Sequence, residues 1–114
     1  MRSMKHLGVQ TRLTIYTGKT TNEATFGKGV ATLLRGIAET GSLNAAAKGI
    51  KMAYSKAWRI VKETESGFGF LLIHRDGARG STLSKEGQRL LDVYEALEQE
   101  AAQYVSVRFK ELIS

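Results

Sequence analysis

Residues 41–62 read GSLNAAAKGIKMAYSKAWRIVK and predict two short helices joined by a tight turn at Gly49. The alanines on the first helix are small enough to let the two helices approach closely. The stretch holds five basic side chains and no acidic one, and Lys56, Arg59 and Lys62 fall on the outward side of the second helix. We therefore expect a helix-turn-helix whose second helix enters the major groove of DNA.

The flanking residues fix the limits of three helices. Val30, Leu33, Leu34, Ile37 and Ala38 keep the spacing of one helical face, which predicts helix one over about 27–40 with Gly41 as its C-terminal cap. Ser42 is a favourable N-cap for helix two. Helix three is predicted over about 53–66 and ends at the glycines that follow it.

Strand character appears at both ends of this helical region. Residues 7–16 alternate between apolar and polar side chains, which predicts a half-buried strand, and the polar residues 17–26 predict a loop. After helix three, Phe70–His74 and Ser81–Leu83 predict the two strands of a β-hairpin whose tip carries Arg75 and Arg79.

The last segment predicts one long helix, capped by Ser84 and running from 85 to about 110, roughly 40 Å. Gly87, one turn into it, predicts a close approach to the sheet or to helix one. An apolar stripe of this length fits packing against the same helix of a second chain, although it could instead fold back on its own domain. The predicted dimerisation residues are Leu90, Leu91, Tyr94, Leu97, Ala101 and Val105.

Composition excludes several classes of protein. The 114 residues hold 17 Lys and Arg against 11 Asp and Glu, and the acidic surplus is confined to residues 85–114, so the body of the chain suits a polyanion. No run of apolar residues is long enough to cross a membrane, and no signal peptide is evident, so a cytoplasmic location is expected. The chain has no cysteine and two histidines, and no nucleophile–base pair or carboxylate dyad can be assembled. We therefore expect no enzyme activity, no metal and no cofactor.

Several segments resemble the N-terminal DNA-binding region of ModE-type, molybdate-responsive regulators, which is itself similar to the helix-turn-helix of LysR-type regulators. The matching segments are Leu34-Arg35-Gly36-Ile37, Gly41-Ser42-Leu43, Ala46-Ala47-Lys48, Tyr54-Ser55-Lys56-Ala57-Trp58 and Leu83-Ser84-Lys85-Glu86-Gly87-Gln88-Arg89-Leu90. The resemblance covers about residues 30–100 and implies a homodimeric DNA-binding unit. ModE proteins carry C-terminal molybdate-binding modules, and this chain stops where they would begin, so no molybdate site is expected.

The candidate DNA contacts lie on helix three, at the cap of helix two and on the hairpin. Lysine and arginine near phosphates give salt-dependent affinity, and Arg59 has the reach to bind guanine with two hydrogen bonds. The alternative is that these cations only form a solvated face. The predicted contacts are Ser42, Tyr54, Ser55, Lys56, Arg59, Lys62, Arg75 and Arg79.

These observations predict an α+β, mainly α fold. It is a winged helix-turn-helix over residues 1–84, continued by a dimerisation helix over 85–114. The predicted function is sequence-specific binding of double-stranded DNA by a homodimeric transcriptional regulator. Two alternatives remain: a protein-interaction scaffold that uses the long helix, and an RNA-binding protein that uses Phe68 and Phe70, whose Gly-Phe-Gly-Phe setting is similar to that of RNA-binding sheets.

Overall fold

A computed structural model of the chain describes residues 4–18, 24–77 and 80–114. Within these ranges, four helices carry the fold and two short hairpins flank them. The elements are β1 Ile15–Tyr16, β2 Thr25–Phe26, α1 Lys28–Thr40, α2 Leu43–Gly49, α3 Tyr54–Phe68, β3 Ile73–Arg75, β4 Ser81–Leu83 and α4 Lys85–Ile113. The predicted mainly helical winged helix-turn-helix is confirmed.

Helices α1, α2 and α3 form the helix-turn-helix core. A side chain at Gly36 would come within 2.6 Å of the Ala46 Cβ, so the glycine–alanine contact lets α1 and α2 pack closely. Gly41 ends α1 in the left-handed conformation, with φ 75°, and the Ser42 Oγ then accepts a hydrogen bond from the Ala45 amide at 3.1 Å. Both predicted caps are confirmed. Helix α3 runs to Phe68, two residues beyond its predicted end.

Strands β3 and β4 form the predicted hairpin, here called the wing, in an antiparallel register that pairs His74 with Thr82. The first strand begins later than predicted, at Ile73 instead of Phe70. The Ser81 amide donates to the Gly41 carbonyl at 2.8 Å, which ties the wing to the α1–α2 corner. The wing is therefore held against the helix-turn-helix at its base.

The prediction of a strand over residues 7–16 is wrong in extent. Only Ile15 and Tyr16 pair with another strand, and their partners, Phe26 and Thr25, lie in the segment predicted as a loop. The alternation in burial holds only over residues 11–16, where Leu13 and Ile15 are half-buried and Thr14 between them is exposed. Leu7 and Val9, predicted on the buried face, are exposed. Extended chain that rests one face on a helix shows the same period of two as a paired strand.

Helix α4 begins inside the domain and continues beyond it. It has 29 residues, about 43 Å at 1.5 Å per residue. Leu91 is fully buried and Tyr94 is 1% exposed, both in the core of their own chain. Their assignment to a dimer interface is therefore wrong, because a side chain that fills its own core has no surface left for a second chain.

The N-terminal segment 4–13 lies along the outer part of α4. The Tyr94 hydroxyl donates to the Leu13 carbonyl at 3.0 Å, and Met4, Lys5 and Leu7 line a cavity with residues 110, 113 and 114. Ala101 and Val105, on the same side of the helix as Tyr94, are half-buried. The neighbouring side stays open and carries an exposed apolar stripe, Val93, Leu97, Tyr104 and Val107.

Within the part of the chain that the structure describes, every helix is too short or too polar to span a bilayer.

Candidate nucleic-acid interface

The exposed face of α3 lies at its N-terminal half. Ser55, Lys56 and Arg59 are exposed, and Tyr54 keeps 39% of its surface accessible. The first turn of α3 holds no acidic residue, so the positive end of the helix dipole and the two cations add to one another. Ser55, Lys56 and Arg59 therefore share one accessible, positively charged surface, and Tyr54 is exposed at the first residue of the helix.

This basic face ends after two turns of the helix. Glu63 follows Arg59 by four residues and is also exposed, so a carboxylate lies beyond the last free cation of the face. The geometry suits a helix that enters a groove with its N-terminal residues, since a phosphate near its C-terminal half would meet the negative charge of Glu63.

Lys62 is predicted as a DNA contact but has partners within the protein. Its Nζ lies 2.9 Å from the Glu65 Oε1 and 4.5 Å from the centre of the Trp58 ring. Glu65 is buried, and its Oε2 accepts hydrogen bonds from the amides of Leu72 and Ile73, at 2.7 and 3.2 Å. The Lys62 side chain thus lies beside the junction between α3 and the wing.

Arg75 also lies against Trp58. Its Cζ is 4.6 Å from the ring centre, and the side chain is exposed. Arg79, the second predicted wing contact, lies outside the described residues. Trp58 is half-buried and packs against the core, and the two cation contacts of its ring were not predicted from the sequence. The spacing of Lys62 and Glu65, three residues apart on a helix, was the one available signal of their ion pair.

Ser42, a predicted DNA contact, has a structural role in this fold, because its Oγ caps α2. Two other cations near the turn, Lys48 and Lys51, are exposed but were not among the predicted contacts. Lys51 has φ 56°, a left-handed conformation that lets the chain turn between α2 and α3.

Within the ranges that the structure describes, no group of three or more histidine and acidic side chains is placed to hold a metal ion.

A family profile described as "Bacterial regulatory helix-turn-helix protein, lysR family" matches residues 31–88, which run from α1 through the wing to the first turn of α4. The match covers half of the chain. The chain belongs to this family. Residues 31–88 therefore form a LysR-type DNA-binding helix-turn-helix of a transcriptional regulator, a family of non-enzymes. The predicted DNA-binding regulator is confirmed at this level.

Solved structures of LysR-type regulators share the fold. VV2_1132, a LysR family transcriptional regulator, gives a TM-score of 0.53 at 25% identity, over 62% of this chain and 24% of that one. CbnR, another, gives 0.56 at 25% identity, over 70% and 27%. The CbnR_DBD–DNA complex gives 0.60 over 74% and 94%, and at 24% identity it shows the fold alone.

The chain spans about a quarter of the length of the VV2_1132 and CbnR chains that it matches. A comparison with curated protein sequences finds no match. The LysR-type assignment therefore applies to the helix-turn-helix and the wing.

Proposed function

We propose that the protein binds double-stranded DNA sequence-specifically as a homodimer, with α3 in the major groove and the wing on the backbone or in the minor groove. The observation that carries this proposal is the exposed basic surface of α3, formed by Ser55, Lys56 and Arg59, with Tyr54 exposed at the start of the helix. Those side chains precede Glu63, where the face becomes acidic. A relative with the same fold, CbnR_DBD, forms a complex with DNA.

The homodimer is supported by the apolar stripe of α4. Val93, Leu97, Tyr104 and Val107 are between 42% and 67% exposed and recur at helical spacing over about 21 Å of helix. An isologous contact between two such helices would remove the stripe from water. Of the predicted dimerisation residues, Leu97 lies in this stripe. Leu90, Ala101 and Val105 are half-buried at its edge.

A ModE-type regulator is the finer assignment that we propose within the LysR-type class. Its support is the set of matching segments between Leu34 and Leu90, which the structure places on α1, α2, α3 and the start of α4. A regulator of this type acts where its DNA lies, so we propose a cytoplasmic location. No effector is proposed.

The proposal is tested by titrating a labelled duplex with the wild-type chain and with Arg59→Gln, Lys56→Gln and Arg108→Gln. Genomic fragments selected by the protein supply the specific duplex, and a mixed-sequence duplex supplies the reference. We expect Arg59→Gln to reduce discrimination between the two duplexes by about tenfold, the value of one good base contact. Arg108→Gln, which removes one charge near the far end of α4, is the control.

Binding should weaken steeply with salt, because released counterions drive it. If the wild-type chain bound the selected and the mixed-sequence duplex with equal affinity, the proposed sequence specificity would be wrong. Preference for single-stranded RNA, lost on Phe68→Ala, would favour the RNA alternative, although Phe68 and Phe70 pack against each other and the core.

A further inference from the structure

Trp58 is the only tryptophan of the chain, and two cations lie against its ring. Lys62 Nζ is 4.5 Å and Arg75 Cζ is 4.6 Å from the ring centre. Lys62 follows one turn later on α3, whereas Arg75 is the last residue of β3. The indole ring therefore connects the DNA-entering helix with the wing.

The two cations differ in their other partners. Lys62 pairs with Glu65, whose side chain is only 4% exposed and whose second oxygen accepts the amides of Leu72 and Ile73. A carboxylate removed from water needs a counter-charge, because its desolvation is costly. Lys62 therefore supplies the counter-charge of Glu65, with 40% of its side chain still exposed.

Arg75 has no such commitment. None of the ion pairs among the described residues includes it, and its side chain is exposed. A guanidinium carries five N–H donors, so contact with one aromatic ring leaves donors available to a ligand. Contact with Trp58 also restricts the rotamers of the arginine, which reduces the entropy that it loses when it binds a ligand.

We propose that Trp58 holds Arg75 ready to bind a backbone phosphate of duplex DNA where α3 meets the wing, while Lys62 neutralises Glu65 and has a structural role. This inference rests on the proposed function. It names the ligand of one residue, assigns Trp58 as a positioning residue and separates two neighbouring cations that the sequence treats alike. A phosphate is present at every nucleotide, so this contact adds affinity without base selectivity.

The test measures binding of a mixed-sequence duplex over a series of salt concentrations, by anisotropy, for Arg75→Gln, Lys62→Gln and the control Arg108→Gln. Each variant removes one positive charge. We expect Arg75→Gln to weaken binding about tenfold, as for a hydrogen bond to a charged group. It should also lower the slope of log affinity against log salt by about 0.9 per protomer, the value for one phosphate. Lys62→Gln should keep the slope of the control and lower the urea midpoint of unfolding.

The role of Trp58 is tested by a double-mutant cycle. Trp58→Phe and Trp58→Leu are measured with Arg75 present and with Arg75→Gln. If Trp58 acts through Arg75, its substitution weakens binding only when Arg75 is present, and the phenylalanine variant falls between tryptophan and leucine. Combined with Arg59→Gln, the effect of Trp58→Phe should simply add. Because phenylalanine keeps an aromatic ring in place, the cycle remains informative even if the leucine variant does not fold.

Three results would overturn the inference while leaving the proposed function intact. These are an unchanged salt slope in Arg75→Gln, an equal loss of slope in Lys62→Gln, and additive effects of Trp58→Phe and Arg75→Gln. Failure of the wild-type chain to bind any duplex would overturn both the inference and the proposed function.

Discussion

Gly87 shows how a single residue sets the position of the wing. A side chain at Gly87 would collide with the Leu72 carbonyl oxygen, which already accepts the Ser84 amide at 2.9 Å. The Ser84 Oγ caps α4 by accepting the Gly87 amide at 2.9 Å and donates to the Leu71 carbonyl at 2.6 Å. The start of α4 and the chain that leads into the wing are thus joined backbone to backbone. The close approach predicted for Gly87 is confirmed.

Gly87→Ala should destabilise the protein, although alanine favours helices more than glycine does. The added Cβ must displace the Leu72 backbone, and such overpacking costs about 1–3 kcal/mol. Gly29→Ala is the matched control, since Gly29 lies in α1 with open space around it and the change should stabilise by about 0.5–1 kcal/mol. Urea unfolding of both variants measures the difference. Equal effects would show that the two backbones can separate at little cost.

Tyr94 makes stability depend on alkaline pH. Burial, and to a lesser extent the nearby Glu98, raise the pKa of the Tyr94 hydroxyl above its ordinary value of 10.0. In the unfolded chain the hydroxyl therefore loses its proton first as pH rises, so the free energy of unfolding falls above about pH 10. Tyr94→Phe should remove this contribution and give a shallower alkaline decline. The comparison is made by urea unfolding from pH 8 to about 11, and identical slopes in both proteins would contradict it.

Among the elements, α3 and the wing are coupled through Glu65. Its carboxylate accepts two amides at the entry to β3 and pairs with Lys62, so one side chain serves both elements. Glu65→Ala should lower the free energy of unfolding by about 2–4 kcal/mol, because two buried amides lose their acceptor. Glu63→Ala, on the exposed side of the same helix, should change it by less than about 0.5 kcal/mol. A Glu65→Ala effect as small as that of Glu63→Ala would show that water satisfies the freed amides.

The sequence predicted the helices well because each carries its own periodicity and caps. The helices predicted over about 27–40, 53–66 and 85–110, and the Ser42 cap of the helix between the first two, needed no knowledge of distant contacts. The N-terminal strand failed for the opposite reason: alternation reports an extended chain with one buried face, but not what covers that face. Here α4 packs beside much of the segment, and only Ile15 and Tyr16 find a strand partner.

In the candidate DNA-binding site, too, local features could be predicted from the sequence and contacts between elements could not. Exposure of Lys56 and Arg59 follows from helical spacing alone. Whether a cation is free depends on partners from other elements, which spacing does not show. The contact of Arg75 with Trp58 joins residues 17 positions apart, on different elements, and no local pattern encodes it.

For the whole molecule, the important property is that α4 projects from the domain. The radius of gyration is 17.1 Å, against the roughly 13 Å expected for a compact chain of about this length. One side of the projecting part is covered by the N-terminal segment, which Tyr94 holds at Leu13. The stripe of Val93, Leu97, Tyr104 and Val107 is left open beside it. Some apolar residues of α4 thus lie in the chain's own core, and others form an exposed surface that can accept a second copy.

Leu97→Glu should convert a dimer into a monomer, because the change places a charge at the centre of the open stripe. Two isologous copies would bring the two carboxylates together, and a desolvated like-charged pair costs several kcal/mol. The control is Gln99→Glu, an exposed position on another side of α4 that adds the same charge. Sedimentation equilibrium gives the mass of each variant, and unfolding curves show whether the fold survives. Duplex binding should weaken in Leu97→Glu alone, because only a dimer can place two copies of α3 about 34 Å apart on one face of DNA. A wild-type chain that sediments as a monomer at all concentrations, or a dimer that persists in Leu97→Glu, would remove this surface from the mechanism.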